Sequence, residues 1–119
     1  MIIALWIATG ILAALYVMAG FLKSTTPREK LATKMPWVES FTAGQVKTIG
    51  VLEFLGGIGL VLPAATGILP WLTPVAAFAL VIVQIVAAIV HVRRREFSSL
   101  PINAVLGVYA LLVGIFWVI

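Results

Sequence analysis

Five side chains have the chemistry to bind a polar group or exchange a proton while sitting in or beside long apolar runs: Tyr16, Lys23, Glu53, Gln84 and His91. Glu53 is the most demanding. Counting 1.5 Å per residue places it roughly 15 Å from the basic end of its run. A carboxyl at that depth has to face other helices, where it either pairs with a cation or keeps its proton. It reads as a proton-exchanging group or as a residue that glues helices together. Gln84 falls at a similar depth in the next run, either as an interhelical hydrogen bond or as a contact to a ligand. Tyr16 sits roughly 9 Å from the basic end of the first run. Its hydroxyl can reach Glu53 or a ligand, or its ring simply packs. His91 ends the third run, placed either as a helix C-terminal residue favoured by the dipole or as a proton inlet. Lys23 closes the first run, with a stem long enough to snorkel to the headgroups.

The elements that hold these groups follow from where charge is missing. The chain has 119 residues, 63% hydrophobic and 10% charged. A mean hydropathy of +1.21 excludes both a soluble globule and a disordered chain. Its eight Lys and Arg and four acidic residues fall in two blocks, from Lys23 to Glu53 and from Arg93 to Glu96. A span needs about 20 apolar residues. The uncharged stretches 1–22 and 97–119 each fit one. The stretch 54–92 is too long for one and is broken by Pro63, Gly67, Pro70 and Pro74. The expectation is an all-α, integral membrane four-transmembrane-helix bundle, one domain over 1–119, with spans at about 2–22, 43–62, 74–92 and 101–119. The first run lacks the basic flank of a secretory signal and reads as a retained helix.

Composition excludes further classes. Without cysteine the chain has no disulfide, thiolate metal site or thiol relay of its own. Asp is absent, and one histidine makes no multi-His metal site or bis-His haem. The sequence therefore predicts no metal and no resident cofactor, with a quinone or a lipid as the candidate ligand. A pI of 10.0 usually suggests nucleic acid. Here the basic residues lie in the 23–47 and 93–95 segments, all on one side of a four-span hairpin pair. The positive-inside rule puts these loops in the cytoplasm and both termini outside, in a multi-pass protein of the cytoplasmic (inner) membrane. The partner is the lipid bilayer, not nucleic acid.

The first loop carries its own pattern. Thr26-Pro27-Arg28-Glu29 has capping-box form, and Leu31, Met35, Trp37, Val38 and Phe41 supply apolar surface. These predict a short interfacial helix over about 27–35 with Trp37 as a membrane anchor. Within the spans, small residues mark the packing faces. Thr9, Ala13, Tyr16, Gly20 and Lys23 share one face. So do Gly50, Glu53, Gly56 and Gly57, then Ala77, Gln84, Ala87, Ala88 and His91, and finally Asn103, Ala104, Gly107, Ala110 and Gly114. Tyr109 falls off the last stripe and reads as lipid or aromatic packing. Trp6, Trp71 and Trp117 read as interfacial belt residues.

Residues Gly50-Val-Leu-Glu-Phe-Leu-Gly-Gly-Ile-Gly-Leu-Val-Leu-Pro63 resemble a G-x-x-E-x-x-G-x-x-G-L-x-x-P segment of DoxX-like membrane proteins. Gly20-Phe-Leu-Lys23 resembles the G-x-x-K that ends their first helix, and His91-Val-Arg-Arg-Arg95 their basic turn after the third. Matching positions are Lys23, Glu53, Gly56, Pro63 and His91. The resemblance implies four spans. It also implies the company of redox systems, since the wider family includes membrane subunits of thiosulfate:quinone oxidoreduction and partners of redox enzymes. Animal members of the superfamily are cargo receptors or assembly chaperones. It carries over no catalytic residue, and any thiol chemistry would reside on a partner.

Two functions follow as expectations. One is an accessory or membrane-anchoring subunit of a quinone-linked redox assembly, bound to an oxidoreductase or to further copies of itself. The other is a small membrane enzyme or carrier for a lipophilic molecule, with Glu53 exchanging protons. A pocket between helices against Glu53 favours the second. The topology is directly testable. In intact cells, single cysteines at Lys30 and Ser98 should resist a membrane-impermeant maleimide while one at Thr66 reacts; the opposite pattern reverses the orientation.

Overall fold

Backbone that leaves water must satisfy its own N–H and C=O groups, and in lipid a helix does this within one segment. The structure, a computed structural model, describes residues 2–119; Met1, the first residue of the expected domain, lies outside them. Four helices are long and apolar enough to span a membrane: α1 (Ile2–Thr25), α3 (Ala43–Thr66), α4 (Leu72–Arg93) and α5 (Leu100–Val118). A one-turn helix, α2 (Arg28–Leu31), lies in the first loop, and 3₁₀ turns occupy Pro36–Ser40 and Phe97–Ser99. The long axis is 40 Å, matching a bilayer with headgroups at about 40–45 Å. Large apolar side chains point outward, Ile3 at 72% and Ile82 at 62% exposure, as a lipid-facing surface requires.

Helices α1 and α3 form the tightest pair. They run antiparallel, with Gly20 on Gly50 at one level and Gly57 on Ala13 and Val17 at another. A Cβ on Gly50 would lie 2.6 Å from the Ser24 amide nitrogen and 2.8 Å from the Gly20 carbonyl oxygen. One on Gly20 would strike the Gly50 carbonyl and the Phe54 backbone. The helices touch backbone to backbone because neither carries a side chain there. Helices α4 and α5 make a second pair, in which the Phe78 ring packs over Gly114. The pairs join at the end away from the basic loops, where Leu80 packs over Gly56 and Ala76 over Gly59. Leu12, Leu60, Leu80, Ala77 and Ala110 fill the core between them.

Three local expectations change. Residues 63–66, placed in a loop by their proline, continue α3 to Thr66. Pro63 cannot donate to the turn before it, but the next amide, Ala64 N–H, donates to the Thr73 hydroxyl of α4 at 3.1 Å. A hydroxyl from a neighbouring helix thus supplies polar contact beside the proline. The chain then turns through Gly67, whose φ of 72° is the left-handed cap glycine adopts without strain.

In the first loop, the helix expected over 27–35 shrinks to Arg28–Leu31, with Pro27 at its N-cap and no side-chain cap. Thr26 is still tied to α1, its amide donating to Leu22 O, so it cannot start a new helix. The capping box that does form is Thr42–Gln45 at the start of α3, with both reciprocal bonds present. At the far end, Tyr109 donates its hydroxyl to the Ala8 carbonyl instead of facing lipid, and Trp117 donates to the Thr9 hydroxyl at 2.9 Å. These two bonds tie α5 to α1.

The α1–α3 contact sets a stability prediction. Gly20→Val should destabilise the bundle by about 1–3 kcal/mol, since backbone must move to admit the side chain. Gly10→Ala, where a Cβ meets nothing within 4 Å, should be neutral or slightly stabilising. Unfolding in mixed micelles of SDS and a mild detergent measures both.

Candidate functional site

The tilt of side chains along a helix decides where the charges meet. A helical Cα–Cβ bond leans toward the helix N-terminus. Lys23 follows Gly20 by one turn near the end of α1, so its stem leans back into the bundle. Glu53 follows Gly50 by one turn in α3, which runs the other way, so its carboxyl leans toward the lysine. The ammonium Nζ and Glu53 Oε1 meet at 2.5 Å. The side chains are 14% and 3% exposed, so this is an interior ion pair, and Lys23 does not snorkel to the boundary. Trp37 caps it, its ring centroid 5.3 Å from Nζ. Trp37 therefore contributes to the site instead of serving only as an anchor. Glu53 Oε2 makes no hydrogen bond among the described residues.

Beside the pair runs a chain of neutral groups. Gln84 Nε2 donates to the Tyr16 hydroxyl oxygen at 2.7 Å, and Asn103 Nδ2 donates to Gln84 Oε1 at 2.9 Å. It links α1, α4 and α5. The Tyr16 proton stays uncommitted, and Asn103 Oδ1 is buried without a partner. Glu53 lines the same cavity as Tyr16 and Gln84, but its hydrogen bond goes to Lys23, while Tyr16 and Gln84 bond to each other. Asn103 was legible only as part of a small-residue stripe, although a lone amide in an apolar span was the signal for it.

His91 stands at the basic-loop end. Its Nδ1 lies 2.9 Å from Glu96 Oε1, and Arg94 Nε donates to Glu96 Oε2 at 3.1 Å. Arg94 also donates to the Ser40 hydroxyl at 2.7 Å, tying the two basic loops together. Arg28 fixes the first loop from within, its guanidinium donating to the Val38, Glu39 and Phe41 carbonyls. Partial desolvation opposes ionisation of Glu96, but the hydrogen bonds and charges of His91 and Arg94 outweigh it and hold its carboxyl below the usual range. The stabilisation this lends is present above the ordinary carboxylate value and lost as pH falls through the lowered one.

All five sequence-selected residues line one cavity of about 390 Å³, together with Asn103, Trp37 and Phe41. It lies between the α1–α3 pair and α4, toward the basic-loop end. Most of its wall is aliphatic, and Leu15, Leu52, Ile82 and Val86 on that wall also reach the outer surface of the bundle. The cavity thus opens sideways, where lipid would be. A larger groove of about 670 Å³ runs between α1 and α5, but Tyr109 gives its only side-chain polar group, already committed to Ala8. Among the described residues no cluster of three or more metal-ligating side chains occurs.

A family model described as the DoxX-like family matches residues 7–113. The chain belongs to the DoxX-like family. The match includes every residue lining the cavity. Neither the curated proteins nor the solved structures contain a match to the chain. This DoxX-like protein is therefore a membrane bundle of four apolar helices whose interior polar groups converge on one cavity.

Removing one member of a buried pair strands the other. Lys23→Met alone should cost about 3–5 kcal/mol of stability, and so should Glu53→Leu alone. The double substitution should cost less than their sum, with a coupling of about 1–3 kcal/mol. Mixed-micelle unfolding of the four proteins measures the cycle; strict additivity would exclude the pair.

Proposed function

We propose that this protein binds a lipophilic molecule with a polar head in the cavity between its helix pairs, the head meeting Lys23, Glu53 and Tyr16 and the body lying along the aliphatic wall. The observation that carries the reading is the convergence of an ion pair and the hydrogen-bonded Tyr16–Gln84–Asn103 chain on a cavity open toward lipid. Small-molecule sites are mostly apolar with a few placed polar groups, in volumes of roughly 300–1,000 Å³. Glu53 is the group that exchanges a proton when the head binds, and His91, at the basic-loop end of the cavity, is its route to water.

A quinone in the cavity would make the protein an accessory or anchoring subunit of a quinone-linked redox assembly, with an oxidoreductase as partner. A lipid would make it a carrier, or an enzyme acting on that lipid. The charge distribution turns the mouth toward the cytoplasmic leaflet.

Native mass spectrometry of gently solubilised protein tests the reading. The wild type should carry a small-molecule adduct that Ala87→Phe, which fills the cavity wall, removes. An unliganded wild type, or an adduct that survives Ala87→Phe, would contradict it.

A further inference from the structure

Glu53 occupies the position that an external carboxylate would take on Lys23. Lys23 Nζ has three N–H groups and gives one to Glu53 Oε1. The remaining two, and the Tyr16 proton, are donors at the cavity wall. The Trp37 ring also faces the ammonium, its centroid 5.3 Å from Nζ. The site is organised for an anion, and the anion now present is tethered to α3.

We propose that the ligand is a single-chain amphiphile with a carboxylate head, a long-chain fatty acid in chemical class, and that it binds by displacing Glu53 from Lys23 with uptake of one proton. The inference rests on the function proposed above and names its ligand. The exchange balances in charge and atoms. The ligand carboxylate takes over the Lys23 ammonium, and Glu53, now without a cation, takes one proton from a hydronium ion or buffer acid. The O–H or N–H bond of that acid breaks as the Glu53 O–H bond forms, and no other covalent bond changes.

The groups facing the exchange are few. Helix α1 supplies Tyr16 and Lys23, α3 supplies Glu53, and α4 supplies His91, whose partner Glu96 is in turn held by Arg94. Helix α5 contributes Asn103, which does not titrate, and the first loop contributes Trp37. His91 is engaged by Glu96, leaving Glu53 as the group whose protonation the ligand controls. The single-tail choice follows from the cavity. A volume near the low end for ligand sites, about 390 Å³, admits one head and part of one chain, the rest leaving past Leu52 and Ile82.

The test uses the full chain in nanodiscs of zwitterionic lipid, with three sixteen-carbon ligands: palmitate, hexadecanesulfonate and hexadecanol. The sulfonate is anionic at every working pH, so any pH dependence of its binding belongs to the protein. Both anions should bind, and the sulfonate about tenfold more tightly for each unit the pH falls, the slope of one proton taken up. Calorimetry in two buffers of different ionisation enthalpy should count that proton on the wild type directly. Glu53→Gln should bind the sulfonate more tightly and without pH dependence, and Lys23→Met should not bind it. If that last pair fails to fold, the proton count on the wild type still decides. Binding of hexadecanol as tight as the anions, with no proton uptake, would overturn the anion inference and leave the lipophile site standing. Displacement of palmitate by phosphatidylglycerol in the nanodisc would assign the site to a phospholipid head and overturn it as well. Failure of all three ligands to bind would overturn the inference, while the adduct that Ala87→Phe removes decides the cavity reading separately.

Discussion

The structure turns on one contact, the ion pair between Lys23 and Glu53 inside an apolar bundle. Two charges cannot sit there unless each neutralises the other, because the bilayer interior offers no water to solvate them. Their meeting depends on backbone, not on the charges alone. Gly20 and Gly50 let α1 and α3 approach until carbonyl and amide atoms touch, and Lys23 and Glu53 each follow their glycine by one turn. Antiparallel helices with side chains leaning toward their N-termini then aim the two groups at each other. A larger residue at either glycine would separate the helices and leave both charges stranded.

The pair also shapes the space beside it. Helices α3 and α4 pack closely near Gly56 and Gly59, away from the basic loops. On the basic-loop side the polar side chains of α1, α3, α4 and α5 face a cavity. The loops close over that end through Arg28, Arg94 and Ser40. Residues that first read as topology signals thus have a second use, because Arg94 clasps Glu96 and Ser40 while Glu96 engages His91. The neutral Tyr16–Gln84–Asn103 chain links three helices beside the pair and leaves the Tyr16 proton unspent, a donor for a ligand head that accepts.

The four helices were legible because a chain without water has one local solution, and charge blocks mark where each span stops. The packing faces were legible for a related reason, since Gly20, Gly50 and Gly57 are the residues that permit close approach. The partner of Glu53 was harder to read. Lys23 belongs to a charged block, and only the antiparallel docking of α1 on α3 brings it back toward the carboxyl. Trp37 and Asn103 were missed as site residues for the same reason: one lies in a loop whose path is set by Arg28, the other in a stripe that reads as packing. Pro63 misled because proline normally ends a helix, and the hydroxyl beside it lies in another helix at Thr73.

The most direct measurement is the separation of the two charges in a lipid bilayer. Solid-state NMR dipolar recoupling between ¹⁵N at Lys23 Nζ and ¹³C at the Glu53 carboxyl reports it without substitution. With Nζ and Oε1 at 2.5 Å, the spectrum should show strong dephasing from a directly contacting pair. An undephased Glu53 carboxyl, with the Lys23 ammonium in contact with lipid phosphate, would place the lysine at the headgroups and contradict the account.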